Sequence, residues 1–319
     1  MISYIFRRVL GWLPVLLVSS VIVFAVVRAL PGDPADMLAG PDASAADVQK
    51  IREQFGFDRP WPVQYLQWIS HMAQGDFGVS YTYHRENSEI IFSRLPHSLL
   101  VAICALAVAL LTGVPLGLAA GLRQGSWLDN AASFLASLMV ATPNFWFGLL
   151  AILFVSVTLG WLPPGGFVSW DESPLEFVLA LILPTATLAL HPFAVLVRFT
   201  RNAVSETLHE NFIRAAYAKG LSSKRIIVKY VLRNSLLPVV TMAGILFGRM
   251  LGGAVVVESV FSWPGIGRLL VQSIINRDYG MVQGILLVLV AFFMVINLFV
   301  DLLYGSIDPR IRLSKGGQG

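Results

Sequence analysis

The side chains able to do chemistry are few in this 319-residue chain, and they are scattered rather than grouped. Its five histidines (71, 84, 97, 191 and 209) show no His-x3-His spacing and have no cysteine beside them, so sequence neighbours build no metal site. No serine occupies a Gly-x-Ser-x-Gly elbow. A phosphate-cradling loop ends in Gly-Lys-Ser/Thr, and the chain holds no Gly-Lys dipeptide at all. Cys104 is the single cysteine and lies in an apolar run, which leaves no disulfide framework. No catalytic, cofactor-binding or metal-ligating residue is assigned to this chain.

Charges inside apolar stretches are the remaining candidates, because an ionised group in a bilayer is costly and marks function by default. Arg249 falls near the middle of one such stretch and Glu258 near its end. Nine residues at about 100° each put them on opposite faces of a straight helix, so they cannot pair with each other. Glu258 leads into Phe261-Ser262-Trp263-Pro264-Gly265, where Pro264 and Gly265 impose irregular backbone. At membrane depth such backbone is tolerated only against protein or a water cavity. Arg249, Glu258, Trp263, Pro264 and Gly265 are therefore candidates for a gate or a solute path, with bridging of neighbouring helices as the structural alternative. Asn297 and Asp301 share a face at i, i+4, and Asp301 suits a salt bridge to a basic loop.

Membrane-spanning elements must position these residues. The chain is 56% hydrophobic and 13% charged, with mean hydropathy +0.70, more apolar side chain than a soluble domain of this length can hide. Six spans are predicted at about 9–30, 98–122, 131–161, 177–197, 236–257 and 281–304. The third is interrupted at Thr142-Pro143-Asn144, where a tilt or kink is expected. Arg7, Arg8, Arg123, the basic loop 198–235 and Arg310, Arg312 and Lys315 fall on one side. Asp171, Glu172 and Glu176 fall on the other, which puts both termini in the cytoplasm. Residues 1–94 then form the first span and an external segment, 95–306 the remaining five spans, and 307–319 a cytoplasmic tail. The pI near 9.3 reflects this positive-inside bias and not nucleic-acid binding. Outside the membrane, Asp47 to Phe55 and Pro60 to Met72 carry helical spacing, and Gly75-Asp76-Phe77-Gly78 reads as a turn.

The basic loop is more organised than a topology signal requires. Eight Lys and Arg lie between Arg198 and Arg233, and Glu206 to Lys219 reads as a short helix ending at Gly220. Ala215, Ala216 and Ala218 leave a thin surface for close approach, and Leu221 offers an apolar contact beyond the cap. Ser222 or Ser223 caps a second helix, where Arg225, Lys229 and Arg233 recur every four residues. That stripe suits anionic lipid headgroups as well as a protein partner.

Arg214-Ala215-Ala216-Tyr217-Ala218-Lys219-Gly220 resembles the coupling loop of ABC-importer permeases, with Arg214 where the general motif has Glu and Pro238 further downstream than the shorter consensus. Both departures match the peptide/nickel subgroup. Leu30-Pro31-Gly32-Asp33-Pro34, Gly75-Asp76-Phe77-Gly78-Val79-Ser80, Phe261-Ser262-Trp263-Pro264-Gly265, Arg277-Asp278-Tyr279 and Asp308-Pro309-Arg310 are similar, in order, to the first permease of dipeptide, oligopeptide, nickel and glutathione importers. The resemblance implies an all-α polytopic type I permease. Its partners would be a second homologous permease, two ABC ATPases holding ATP and Mg, and an extracytoplasmic solute-binding protein. It also implies that Arg214, Ala215, Ala216, Lys219, Gly220 and Leu221 receive the ATPase. The tail 313–319 faintly echoes an ABC ATPase signature, but no phosphate loop precedes it, and a flexible Gly-rich tail is the expectation. A self-sufficient secondary transporter, the rival class, predicts an internal repeat and paired acids at mid-membrane, neither of which the runs show.

Overall fold

A computed structural model describes residues 10–29, 35, 39 and 43–307, and its regular structure there is helical apart from an isolated Val79–Glu86 bridge. Arg7 and Arg8, the 30–34 motif, Asp308-Pro309-Arg310 and the tail after Ile307 lie outside the described residues. The chain divides into two compact units, one formed by 1–97 with 264–295 and the other by 98–263 with 296–319.

In the first unit, α1 (Trp12–Ala29) is apolar on all sides and keeps most of its surface exposed, as a lipid-facing helix does. Two short helices follow, α2 (Ala45–Phe55) and α3 (Trp61–Ala73). Ser44 and Asp47 close a capping box on α2, and Gly56 takes the left-handed conformation that ends it (φ 69°). Tyr65 and Trp68 of α3 pack on Phe24 of α1 at ring separations of 5.6 and 5.8 Å, and the hydroxyls of Tyr65 and Ser20 are 2.9 Å apart. The predicted turn is present: Gly75 and Gly78 both have positive φ, and the Gly78 N–H donates to Asp76 Oδ1.

Two of the sequence landmarks meet here across almost 200 residues. Ser80 Oγ donates to the carboxylate of Asp278 at 2.5 Å, and Thr82 N–H donates to the same oxygen. The other carboxylate oxygen accepts from Met281 N–H. Asp278 thus caps the helix that follows it while holding the loop after the glycine turn. Beneath lies an apolar cluster that includes Ile91, Ile266, Leu269, Met281 and Ile285.

The second unit begins in α4 (Asn87–Leu122), which starts eleven residues before the predicted span because the apolar run has an amphipathic lead-in. Next come α5 (Trp127–Ala141) and α6 (Asn144–Ala151, continuing as a π-helix over Ile152–Thr158). They bend by 100° at Thr142-Pro143, so the third predicted span is not one rod. Thr142 is extended there (ψ 121°), the conformation that a following proline imposes. α7 (Pro174–His209) is the long central helix of this unit and keeps Pro184 and Pro192 in its interior. Gly113, Gly117 and Gly121 of α4 lie against it: a Cβ on Gly117 would come 2.5 Å from the Val197 carbonyl oxygen. Arg201 of α7 clamps Asp129 of α5 through two 2.9 Å hydrogen bonds.

The basic segment departs from expectation in two places. Glu206–Lys219 is not one helix: Glu210 is extended (ψ 145°), ending α7, and α8 (Asn211–Ala218) starts afresh. The expected second basic helix is continuous with the fifth span as α9 (Ser223–Val260). Ser222 stands at its N-cap position without a side-chain cap bond. A π turn at Ile227–Val231 lets Ile226 and Val231, five positions apart, share one face, and both are fully buried. Last come α10 (Ile266–Ile275) and α11 (Tyr279–Ile307). By length and composition α1, α4, α7, α9 and α11 can each cross a membrane, and the bent α5–α6 pair supplies the sixth span if it counts as one.

Candidate functional site

α8 is built to be held from one side and touched from the other. Ile213 and Ala216 are buried with Val204 of α7 and Ile226 and Val231 of α9, while Phe212, Arg214, Ala215, Tyr217, Ala218 and Lys219 are exposed. The two-sided pattern over eight residues explains why the chain breaks at Glu210: α8 must lie across the ends of α7 and α9 to bury that pair. Its C-terminus closes a complete Schellman motif. Gly220 N–H bonds the Tyr217 carbonyl, Leu221 N–H bonds the Ala216 carbonyl, and Gly220 has φ 75°. Leu221 then packs on the same apolar cluster.

The six residues singled out from the coupling motif therefore separate by role. Ala216 is not part of a thin outer surface, being 5% exposed against its own chain, and Gly220 and Leu221 set the end of the helix. Arg214, Ala215 and Lys219 are on the open side. Sequence reading misses Phe212 (41% exposed) and Tyr217 (49%), the largest side chains there. Their signal is nonetheless available, since each is an aromatic residue on the polar face of an amphipathic octamer.

The turn after α9 is set against protein. Phe261 and Trp263 are fully buried, Ser262 carries a positive φ of 54°, and Gly265 begins α10 in extended conformation. Gly166 N–H donates to the Phe261 carbonyl at 2.8 Å, and a Cβ on Gly165 would strike that same oxygen. Phe167 meets the Trp263 ring edge-on at 5.2 Å, and Phe177 completes the stack. Pro264 is the half-buried link into α10. Glu258 is 0% exposed one turn before Phe261, and its carbonyl accepts the Trp263 N–H. Arg249 is exposed on the far side of the helix.

The first unit also holds a cleft of about 1250 Å³ walled by Phe24, Phe57, Trp61, Trp68, Tyr81 and Tyr279. Arg28 lies over the rings of Phe24 and Phe57 at 5.5 and 5.1 Å. Burial raises the Tyr81 phenol to about 12, with the Asp278 carboxylate adding to the effect. Among the described residues no group of three or more His, Cys, Asp or Glu side chains could hold a metal ion.

Known proteins resemble this chain along nearly its whole length. Residues 113–313 match the family described as "Binding-protein-dependent transport system inner membrane component", and residues 1–102 match the N-terminal family of such membrane components. The glutathione transport system permease protein GsiC of Salmonella typhimurium is 43% identical over 312 residues, covering 98% of this chain and 99% of that one. A putative peptide transport system permease protein of Brucella abortus is 40% identical over the same length and coverage. Among solved structures, an inward-facing MetNI methionine ABC transporter superposes with TM-score 0.56 at 19% identity, over 69% of this chain and 96% of that chain, a likeness of fold.

Proposed function

The chain belongs to the inner membrane components of binding-protein-dependent transport systems, and on that premise we propose that it is one of two permeases in an ATP-driven importer of small peptides. It is a multi-pass inner-membrane transport subunit. The observation that carries the reading is α8, a short helix anchored through Ile213 and Ala216 with Phe212, Ala215 and Tyr217 left bare. An ABC ATPase docked on that face moves α8 when ATP binds. Energy enters as the different affinity of ATP for two arrangements of the assembly, not as chemistry in this chain. ATP and Mg reside on two ATPase subunits, a second homologous permease completes the pathway, and an extracytoplasmic solute-binding protein delivers the load. Both termini face the cytoplasm, since Arg7 and Arg8 precede the first span and the 198–235 loop is strongly basic. The names of its relatives support small peptides, glutathione among them, as the solute.

The test is reconstitution. This chain, its companion permease and the two ATPases are placed in proteoliposomes with the binding protein outside. ATP-dependent accumulation of labelled dipeptide or glutathione is the expected result. No accumulation of either, from a complex whose ATPases hydrolyse ATP, sinks the peptide reading. Failure of the ATPases to co-purify sinks the coupling reading.

A further inference from the structure

An exposed arginine within the apolar part of a membrane helix cannot face lipid without heavy cost, so the side of α9 that carries Arg249 needs a polar counterpart. The neighbouring helix places a second such residue beside it. Val204 of α7 packs with Ile226 and Val231 of α9, and Leu188 lies 3.6 Å from where a Cβ on Gly253 would be, so the two helices run antiparallel. Leu188 and Gly253 mark their seam. From it His191 is three residues nearer α8 and about 60° round α7, and Arg249 is four residues nearer and about 40° round α9. Because the helices run in opposite directions, those two rotations go to the same side of the seam. The levels of the two residues differ by about 1.5 Å of rise.

That side is open. His191 and Arg249 are exposed, and neither has a hydrogen-bond or ion-pair partner among the described residues. Ile245 and Val256 share the exposed face of α9, and Gly252 between them has open space where a Cβ would stand. About 10 Å nearer α8, seven residues beyond His191, Arg198 reaches a pocket of about 250 Å³ that it shares with Ser133, Ser137 and Asn202. α5 thus borders this face of α7 at Arg198, and α9 adjoins α7 at the Leu188–Gly253 seam beside His191. α7 carries no acid between Glu176 and Glu206, and α9 carries none before Glu258. Glu258 itself is buried on the opposite face.

The geometry points to a cationic station in the groove along this seam: His191 and Arg249 hold a carboxylate of the transported solute at mid-membrane, and Arg198 receives it next. The inference rests on the proposed importer function and adds the part of the solute that is recognised. Charge complementarity selects the occupant. A peptide carries a carboxylate, and a desolvated arginine–carboxylate pair with hydrogen bonds is among the stronger polar contacts available. Glu258 takes no direct part, because it lies across the helix from the groove.

The reporter is Gly252→Cys in a Cys104→Ala chain, in the full complex with its companion permease and ATPases. Gly252 is one turn from Arg249, and a side chain there meets nothing within 4 Å. Anionic and cationic methanethiosulfonates are compared, each rate divided by its rate with a free thiol. The expected anionic preference is about tenfold, the lower range for a focused field in a cleft. It should survive Arg249→Lys and fall towards parity in Arg249→Gln combined with His191→Gln. Tri-alanine should slow the labelling, and tri-alanine amide should not. An introduced thiol that reacts with neither reagent means the groove is sealed against the companion permease and overturns the proposal. So does a preference unmoved by the double substitution, or equal protection by the two peptides. Peptide uptake by the same wild-type complex is measured separately; its absence counts against the peptide-importer function, whereas the charge preference of the introduced thiol decides whether the groove selects anions.

Discussion

Placing a glutamate at either of two adjacent alanines in α8 should give two different failures. Ala216 is 5% exposed among Val204, Ile213, Ile226 and Val231. A glutamate there buries an uncompensated carboxylate, at an effective cost of several kcal/mol, and adds bulk to a packed site at about 1–3 kcal/mol. Against a total stability of about 5–15 kcal/mol that is enough to detach α8 from α7 and α9. Ala215 is exposed, so Ala215→Glu should change stability by no more than about 0.5 kcal/mol. Its effect falls on the partner instead, as does that of Tyr217→Ala, which removes an aromatic knob worth about 2 kcal/mol or more if the ATPase covers it. That is roughly a thirtyfold loss of affinity. The assay pairs the melting temperature of the purified permease complex with the ATPase retained on a tagged permease at limiting concentration. Ala216→Glu should lower the first, and Ala215→Glu and Tyr217→Ala only the second. Wild-type melting of Ala216→Glu refutes the buried assignment. Wild-type ATPase retention by both outer-face variants refutes docking on this face.

Topology has a direct check: in a Cys104→Ala background a cysteine at Asp76 should react with an impermeant thiol reagent in intact spheroplasts, and one at Lys224 only after the membrane is opened. The opposite pattern inverts the orientation. Gly117→Ala puts a methyl 2.5 Å from the Val197 carbonyl and 2.8 Å from Thr200 Cβ, so α4 and α7 must separate, at about 1–3 kcal/mol; an unchanged melting temperature would show that the helices are not in contact there. The Tyr81 phenol, raised to about 12 from 10, keeps its proton in the fold after the unfolded chain has lost it. Its contribution to stability is therefore full below pH 10 and is lost as pH rises towards 12. The difference in tyrosinate absorbance between wild type and Tyr81→Phe should have its midpoint near 12, and a midpoint near 10 would contradict burial of the ring.

What the residues tell in advance follows the strength of each local signal. The helical spacing of Asp47 to Phe55, the helix stop at Gly220 and the Asp76 turn are written in short-range chemistry, and each is present. The apolar runs likewise announce the membrane helices, because hydropathy over about 20 residues outweighs any single side chain. Three features depend on partners distant in sequence and are not legible. The break at Glu210 exists because Ile213 and Ala216 must reach Val204 and Ile226, and nothing within 206–219 other than the octamer's own two-sidedness marks it. The pairing of Ser80 with Asp278 joins two motifs 198 residues apart, and no local pattern ties them. The side on which Ala216 packs is hidden for the same reason: small side chains permit close approach, but do not say by which surface.

The same contacts suggest how a push on α8 reaches the groove. α8 has no separate core, because Ile213 and Ala216 share one cluster with Val204 of α7 and with Ile226 and Val231 of α9. Close-packed side chains transmit displacement instead of absorbing it, so α8 and the adjoining ends of α7 and α9 move together. Those two helices carry His191 and Arg249 on one side of their seam. The π turn at Ile227–Val231 lies in the cluster itself and Pro238 follows it before Arg249, while Pro192 adjoins His191, where the ring removes the bond to the Leu188 carbonyl. Each helix thus has an irregular stretch between the driven end and the seam or at the seam itself. If those stretches flex when α8 is displaced, the separation of His191 and Arg249 changes with the nucleotide state of the ATPases. Spin labels or fluorophores on His191→Cys and Gly252→Cys in a Cys104→Ala chain should then report a distance shift on ATP binding. Filling the cluster contact with Ala216→Leu should reduce that shift before it abolishes assembly. A nucleotide-dependent shift of full size in a folded Ala216→Leu complex would place the transmission elsewhere.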